Sequence, residues 1–202
     1  MHNSLSLFNS NMVQAKDISA LYDFLDGTVV VPHSFDDLLR SQLVYAVSAF
    51  DKLIHDLVRI GMVQIFTGNR PTTAKYLSEP VSMQAHIDIV QATMPPKEHI
   101  FEQALFRKFK IVSFQDPVKI GDGLSYIWNE PQKWQKIGAA LGMSDAVVKT
   151  QLKLIADRRN AIVHEADIDP VTNIKIPIAK NDSESSLIFL QSCGNAIANL
   201  VI

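Results

Sequence analysis

Arg159, Asn160 and His164 stand close together late in the chain, in the stretch ADRRNAIVHEADIDP (156–170). These residue types suit proton transfer and the handling of anions. A histidine, with an ordinary pKa of about 6.5, can give or take a proton near neutral pH. An arginine presents a fixed fork of donors that matches phosphate oxygens. Asn160 and His164 are an i,i+4 pair and share a helix face. Arg159 falls instead among apolar positions. At about 100° per residue, Val148, Leu152, Ile155, Ile162, Val163 and Ala166 all lie within roughly 60° of it.

A charge in an apolar stripe needs a partner or a way out. A second charge, Asp51, lies inside the apolar face that Val44, Val47, Ile54, Val58 and Ile65 form on an earlier helix. Opposite charges facing one another make tolerable a burial that is costly for either alone. Asp51 and Arg159 are therefore expected to approach each other where the two helices meet. In the alternative, Arg159 snorkels out at the end of a bundle, its stem buried and its head wet. Arg158 fits a simpler role, because a cation in a last helical turn opposes the helix dipole. His164 lies about 140° round the helix from Arg159 and faces away from that helix's own core. It is a surface or capping group or, with Arg159 and Asn160 beside it, a catalytic one.

The elements that must position these residues are helices. Ser34 reads as an N-cap with Asp36 and Asp37 in the first turn, and residues 35–66 read as one long helix. A middle segment follows, broken at Pro80, Pro95-Pro96 and Pro117, with a helix at 97–112; Gly121 and Gly123 weaken whatever lies around 118–129. Residues 128–142 form a shorter helix stopped by Gly142, and Ser144 begins the helix that carries Arg159 and runs to about 166. Residues 167–183 are a loop, with 173–178 as a candidate extended stretch, and 184–201 a closing helix. Residues 1–34 are expected to be an N-terminal arm or short helix, and 35–202 the main domain. The class is all-α: a helical bundle with a long first core helix and an extra helical middle segment.

Composition narrows the function classes. With 47% apolar and 20% charged residues, the 202-residue chain can bury a real core. A formal net charge of −2 means that a nucleic acid must be met by a local cluster rather than by the whole surface. Cys193 is the sole cysteine, which excludes an intrachain disulfide and a cysteine-rich zinc site. The histidines are scattered without an i,i+4 His pair, so neither a metal nor a cofactor is expected. No apolar run approaches the ~18 residues of a membrane span, and no basic segment leads into an apolar one at the start. No membrane partner is expected, and a reducing cytoplasm is the expected compartment. Trp128 and Trp134 are expected in the core.

The stretch R159-N160-A161-I162-V163-H164 is an Arg-x4-His element with a polar residue directly after the arginine. Together with SAFDKLIHDL (48–57) on the long helix and IGAALGMSDAVVKTQLKLIADRRNAIVHEADIDP (137–170), it resembles the RiboL-PSP-HEPN subfamily of the HEPN superfamily, from roughly residue 35 to the end. Those are all-α domains, many of them metal-independent ribonucleases. The resemblance implies a homodimer whose two Arg-x4-His elements meet across a two-fold axis to form one composite site. It implies RNA as substrate, with the ribose 2′-OH attacking the adjacent phosphorus. His164 would move protons, Arg159 stabilise the phosphorane, Asn160 orient the phosphate or the histidine, and Asp51 and Arg158 support. It also implies a toxin or phage-defence setting, with an antitoxin or other regulatory protein as partner. Two other functions compete: a HEPN-type dimeric binding or scaffolding module without catalysis, and a DNA-binding helix-turn-helix at 134–152. For the second, Lys133, Lys136, Lys149 and Lys153 stand against Asp145 alone within 131–153.

Overall fold

Apolar residues recurring every three or four positions become helices along most of the chain. The computed structural model describes residues 1–202 as nine of them: α1 (His2–Thr28), α2 (Asp36–Phe66), α3 (Ala74–Ser78), α4 (Met83–Gln91), α5 (Lys97–Phe109), α6 (Pro117–Leu124), α7 (Lys133–Leu141), α8 (Asp145–His164) and α9 (Lys180–Val201). The all-α expectation holds; the only extended pairing is an isolated bridge between Ile168 and Lys175, so 173–178 forms no strand. No helix is long and apolar enough to cross a membrane.

α2 is the axle of the bundle. Fifteen of its 31 residues are buried, because α1, α5, α6, α8 and α9 cover it on most sides. Phe50, Leu53, Ile54 and Leu57 of α2 share one core with Ile120 and Leu124 of α6, Ile137 of α7, Leu152 of α8 and Ile197 of α9. Trp128 and Trp134 are partly buried against it. α3 and α4 bury no residue and lie at the rim, α4 against α5.

Residues 1–34 are neither an arm nor a short helix. α1 runs 27 residues and places Phe8, Met12, Ala15 and Ser19, spaced four, three and four, into the core against α2 and α9. Gln42 Nε2 donates to the Ala15 carbonyl (3.0 Å), and Asn9 exchanges side-chain hydrogen bonds with Asn195. The sequence hides this helix because Leu7, Val13, Leu21 and Phe24 face outward, leaving no clean apolar stripe.

Other boundaries move for local reasons. Phe35, not Ser34, precedes α2 and makes no side-chain cap; Asp36 and Asp37 meet the positive end of the dipole instead. The expected weak region at 118–129 contains α6, begun by Pro117 at its first position and capped by Asp116, whose Oδ1 accepts from the Val118 amide (2.8 Å). Gly123 serves packing there, since a Cβ would stand 2.5 Å from the Phe114 ring. α5 stops at Phe109 rather than 112, α7 starts only at Lys133, and α9 begins at Lys180, ahead of 184. α8 ends at His164 instead of 166, because Ala166 (φ 53°) and Asp167 (φ 58°) turn into the left-handed region.

Candidate functional site

α8 is fixed before it reaches its polar end. Ser144 caps it by accepting from the Val147 amide, and Gly142 closes α7 at φ 66°. Val148, Leu152, Ile155 and Ala156 are buried, which sets the rotation of the helix on α2 and α7. Arg159 comes one turn after Ile155 and is therefore drawn to the edge of the core, half-buried. Its Nη1 donates to Asn160 Oδ1 (3.1 Å), and its buried Nε has no hydrogen-bond partner. Asn160 is otherwise exposed.

Arg159 opens onto a groove of about 520 Å³. α2 contributes Asp51, His55 and Arg59 to it, α5 contributes Phe106 and Phe109, and the α5–α6 connection contributes Lys110 and Gln115. Asp51 and Arg159 thus line one groove, but they form no ion pair, contrary to the sequence expectation. The Asp51 carboxylate is taken by the middle segment: its Oδ1 accepts from the Phe114 amide at 2.5 Å. A backbone donor fixed by the α5–α6 turn reaches it without ordering a long side chain. His55, one turn on, lies 3.9 Å from Asp51 Oδ1, shares a 3.0 Å hydrogen bond with the Val112 carbonyl, and meets the Phe114 ring edge-on.

Arg158 does far more than oppose a dipole. Asp167, fully buried just past the end of α8, forms an ion pair with Arg158 Nη1 through Oδ1 (2.6 Å) and accepts a hydrogen bond from Arg158 Nη2 on Oδ2 (2.9 Å). Arg40 of α2 reaches the same Oδ2 through Nε at 2.6 Å. Both guanidiniums also donate to the Ile176 carbonyl (2.7 Å from Arg40, 3.2 Å from Arg158). One carboxylate therefore ties α2, α8 and the loop after α8. Sequence reasoning missed Arg40 and Asp167, although Arg40 was legible as a charge between Leu39 and Leu43 on the buried face of α2.

His164 is the last residue of α8, exposed and without a side-chain hydrogen bond, and it does not line the Arg159 groove. The chain therefore brings Arg159 and Asp51 to one groove, with Asn160 bonded to Arg159, and leaves His164 outside it. Cys193 is no nucleophile: it is closed in the core, and burial pushes its thiol up to about 12.

The lysines of the helix-turn-helix candidate are not a free cationic strip. Lys136 pairs with Glu130 (2.7 Å), Lys149 with Asp145 (2.8 Å) and Lys153 with Asp157 (3.4 Å), so flanking acids offset the local excess.

The family model RiboL-PSP-HEPN matches residues 14–202. It reaches back into α1, as expected of a helix that shares the core. No curated protein and no solved structure matches the chain.

Proposed function

The chain belongs to the RiboL-PSP-HEPN family, and from that membership we propose that it is a metal-independent endoribonuclease. The observation that carries the proposal is the contrast within α8. Both Nη groups of Arg158 engage Asp167, and Nη2 also meets the Ile176 and Pro177 carbonyl oxygens, whereas Arg159 meets no carboxylate and bonds only the neighbouring Asn160, through Nη1. A guanidinium held half-buried, with donors to spare, suits an anion that arrives from outside.

In the proposed reaction two protomers meet about a two-fold axis, bringing the exposed His164 of each toward Arg159 of the other. One imidazole removes the proton from the ribose 2′-OH, which attacks the adjacent phosphorus. The second protonates the departing 5′-oxygen. The arginines stabilise the charge that develops on the phosphorane oxygens, and Asn160 holds Arg159 in register. The products are a 2′,3′-cyclic phosphate and a 5′-hydroxyl, and DNA is left intact. An enzyme of this kind is toxic when expressed alone, which fits a toxin or phage-defence effector held in check by an antitoxin-like partner.

RNA cleavage in excess EDTA tests this, with wild type, Arg159→Ala and His164→Ala compared as folded dimers. The wild type should cut, and each variant should lose about 10²- to 10⁴-fold in rate. Intact RNA with the folded wild-type dimer would refute the nuclease and leave a dimeric binding module. Cleavage abolished by EDTA would refute the metal-free route.

A further inference from the structure

We propose that the groove beside Arg159 is a subsite for one nucleotide of a single-stranded RNA, next to the phosphate that Arg159 holds. The proposal rests on the nuclease reading for its substrate and on the groove itself for its chemistry. At about 520 Å³ the groove falls within the ~300–1,000 Å³ of clefts that take small ligands.

Its polar groups divide into those already used and those left free. Asp56 is held by Lys52 (2.9 Å) and Arg59 (3.0 Å), and Arg59 also binds Glu102. Asp51 accepts the Phe114 amide, and His55 is engaged with the Val112 carbonyl. The carboxylates are thus committed within the protein. Four groups remain for a ligand. Lys110 has no ion-pair or hydrogen-bond partner, Gln115 makes no side-chain hydrogen bond, and Arg159 uses Nη1 on Asn160 and leaves Nη2 unengaged. Phe106 presents its ring 58% exposed on α5, a helix whose other phenylalanines, Phe101 and Phe109, are buried.

An aromatic face, an amide and two cations around one groove match the parts of a nucleotide. Bases stack on aromatic rings whatever their sequence, Lys and Arg track the phosphates, and a side-chain amide can bond a base edge. Stacking on Phe106 requires a base whose face is free, so a duplex is excluded from the subsite. This assigns to the middle segment, through Phe106, Lys110 and Gln115, a substrate-holding role separate from the Arg-x4-His element.

The test uses binding, measured apart from cleavage. A fluorescein-labelled, 2′-O-methylated single-stranded decamer has no 2′-OH to attack and is titrated by anisotropy against the full chain. The same strand annealed to its complement serves as the duplex control. The single strand should bind more tightly than the duplex. Phe106→Ala should weaken single-strand binding by roughly 5- to 100-fold. Lys110→Ala should lower the slope of log affinity against log salt by about 0.7, the share of one phosphate contact on a single strand. Both residues are exposed, and circular dichroism checks that the variants remain folded. Wild-type affinity and salt slope in both variants, or equal binding of strand and duplex, would overturn the subsite even if wild type cuts RNA. Loss of binding in the variants with no RNA cleavage by wild type would sink the nuclease and leave the subsite standing.

Discussion

At the end of α8, consecutive arginines enter opposite surroundings. Around Asp167, two guanidiniums and a carboxylate close on one another beneath the surface, and Arg158 and Arg40 spend donors on the Ile176 carbonyl as well. Around Arg159, charges of both signs share a solvent-open groove, Asp51 is turned to a backbone amide, and the guanidinium keeps an unpartnered Nε. A buried charge that serves the fold is closed on by opposite charges of the protein's own, because desolvation leaves it no cheaper option. A charge kept for a ligand must be held in place yet left incomplete. By that criterion the clamp is architecture and the groove is a site, although both lie on one helix and both are rich in arginine.

Removing Asp167 should have the largest effect. Asp167→Ala leaves the buried side chain of Arg40 and the partly buried one of Arg158 without their anion. The expected destabilisation is about 3–5 kcal/mol, the usual cost of breaking a buried pair by deleting one partner. Arg159→Ala should cost only about 1 kcal/mol, chiefly the packing of its stem. Urea unfolding of both variants measures the difference. Equal losses would end the distinction between clamp and groove.

The helical class, α2, the caps at Ser144 and Gly142, and the place of Arg159 and Asn160 were all legible because each rests on local chemistry or on a strong 3.6-residue period. What escaped was tertiary. α1 turns four large apolar residues outward, Leu7, Val13, Leu21 and Phe24, and fully buries only Phe8 and Met12, so its helix has no clear periodic signature. The helix wheel rightly placed Asp51 and Arg159 on facing helices but could not foresee that the Phe114 amide, brought back by the middle segment, would take the carboxylate. Asp167 looked like the start of a loop, since nothing in HEAD announces a left-handed residue folded back under two arginines. Phe106 and Lys110 were invisible as site residues because a pattern read along α5 says nothing about which element closes over it.

A double-mutant cycle gives a smaller but more selective measurement. Arg40→Ala combined with Asp167→Ala should show a coupling of about 1.5–3 kcal/mol, as expected of two charges in direct contact. Arg159→Ala combined with Asp51→Ala should be additive within about 0.5 kcal/mol, because the two form no pair. A large coupling in the second cycle would mean that Arg159 turns to Asp51 in solution, making the groove a second clamp.

Glu79, between α3 and α4, lies midway between these extremes and should give the smallest effect. Its carboxylate accepts from the Tyr126 hydroxyl (2.6 Å) and pairs with Lys108, and it is partly covered rather than buried. Burial alone would raise its pKa, but the hydrogen bonds from Lys108 and Tyr126 outweigh burial and hold the carboxyl below its usual range. A carboxyl lowered in the folded state contributes stability above its unfolded pKa and loses that contribution as the pH falls through the folded one. Wild type should therefore exceed Glu79→Gln in stability by about 1 kcal/mol at pH 7, and the gap should close as the pH is lowered through the acid range below the ordinary carboxylate value. Denaturant unfolding of both proteins at neutral and acidic pH measures the gap. A gap that stays constant with pH would show that Glu79 acts by shape alone, and that the middle segment is held to the bundle by packing rather than by this charge.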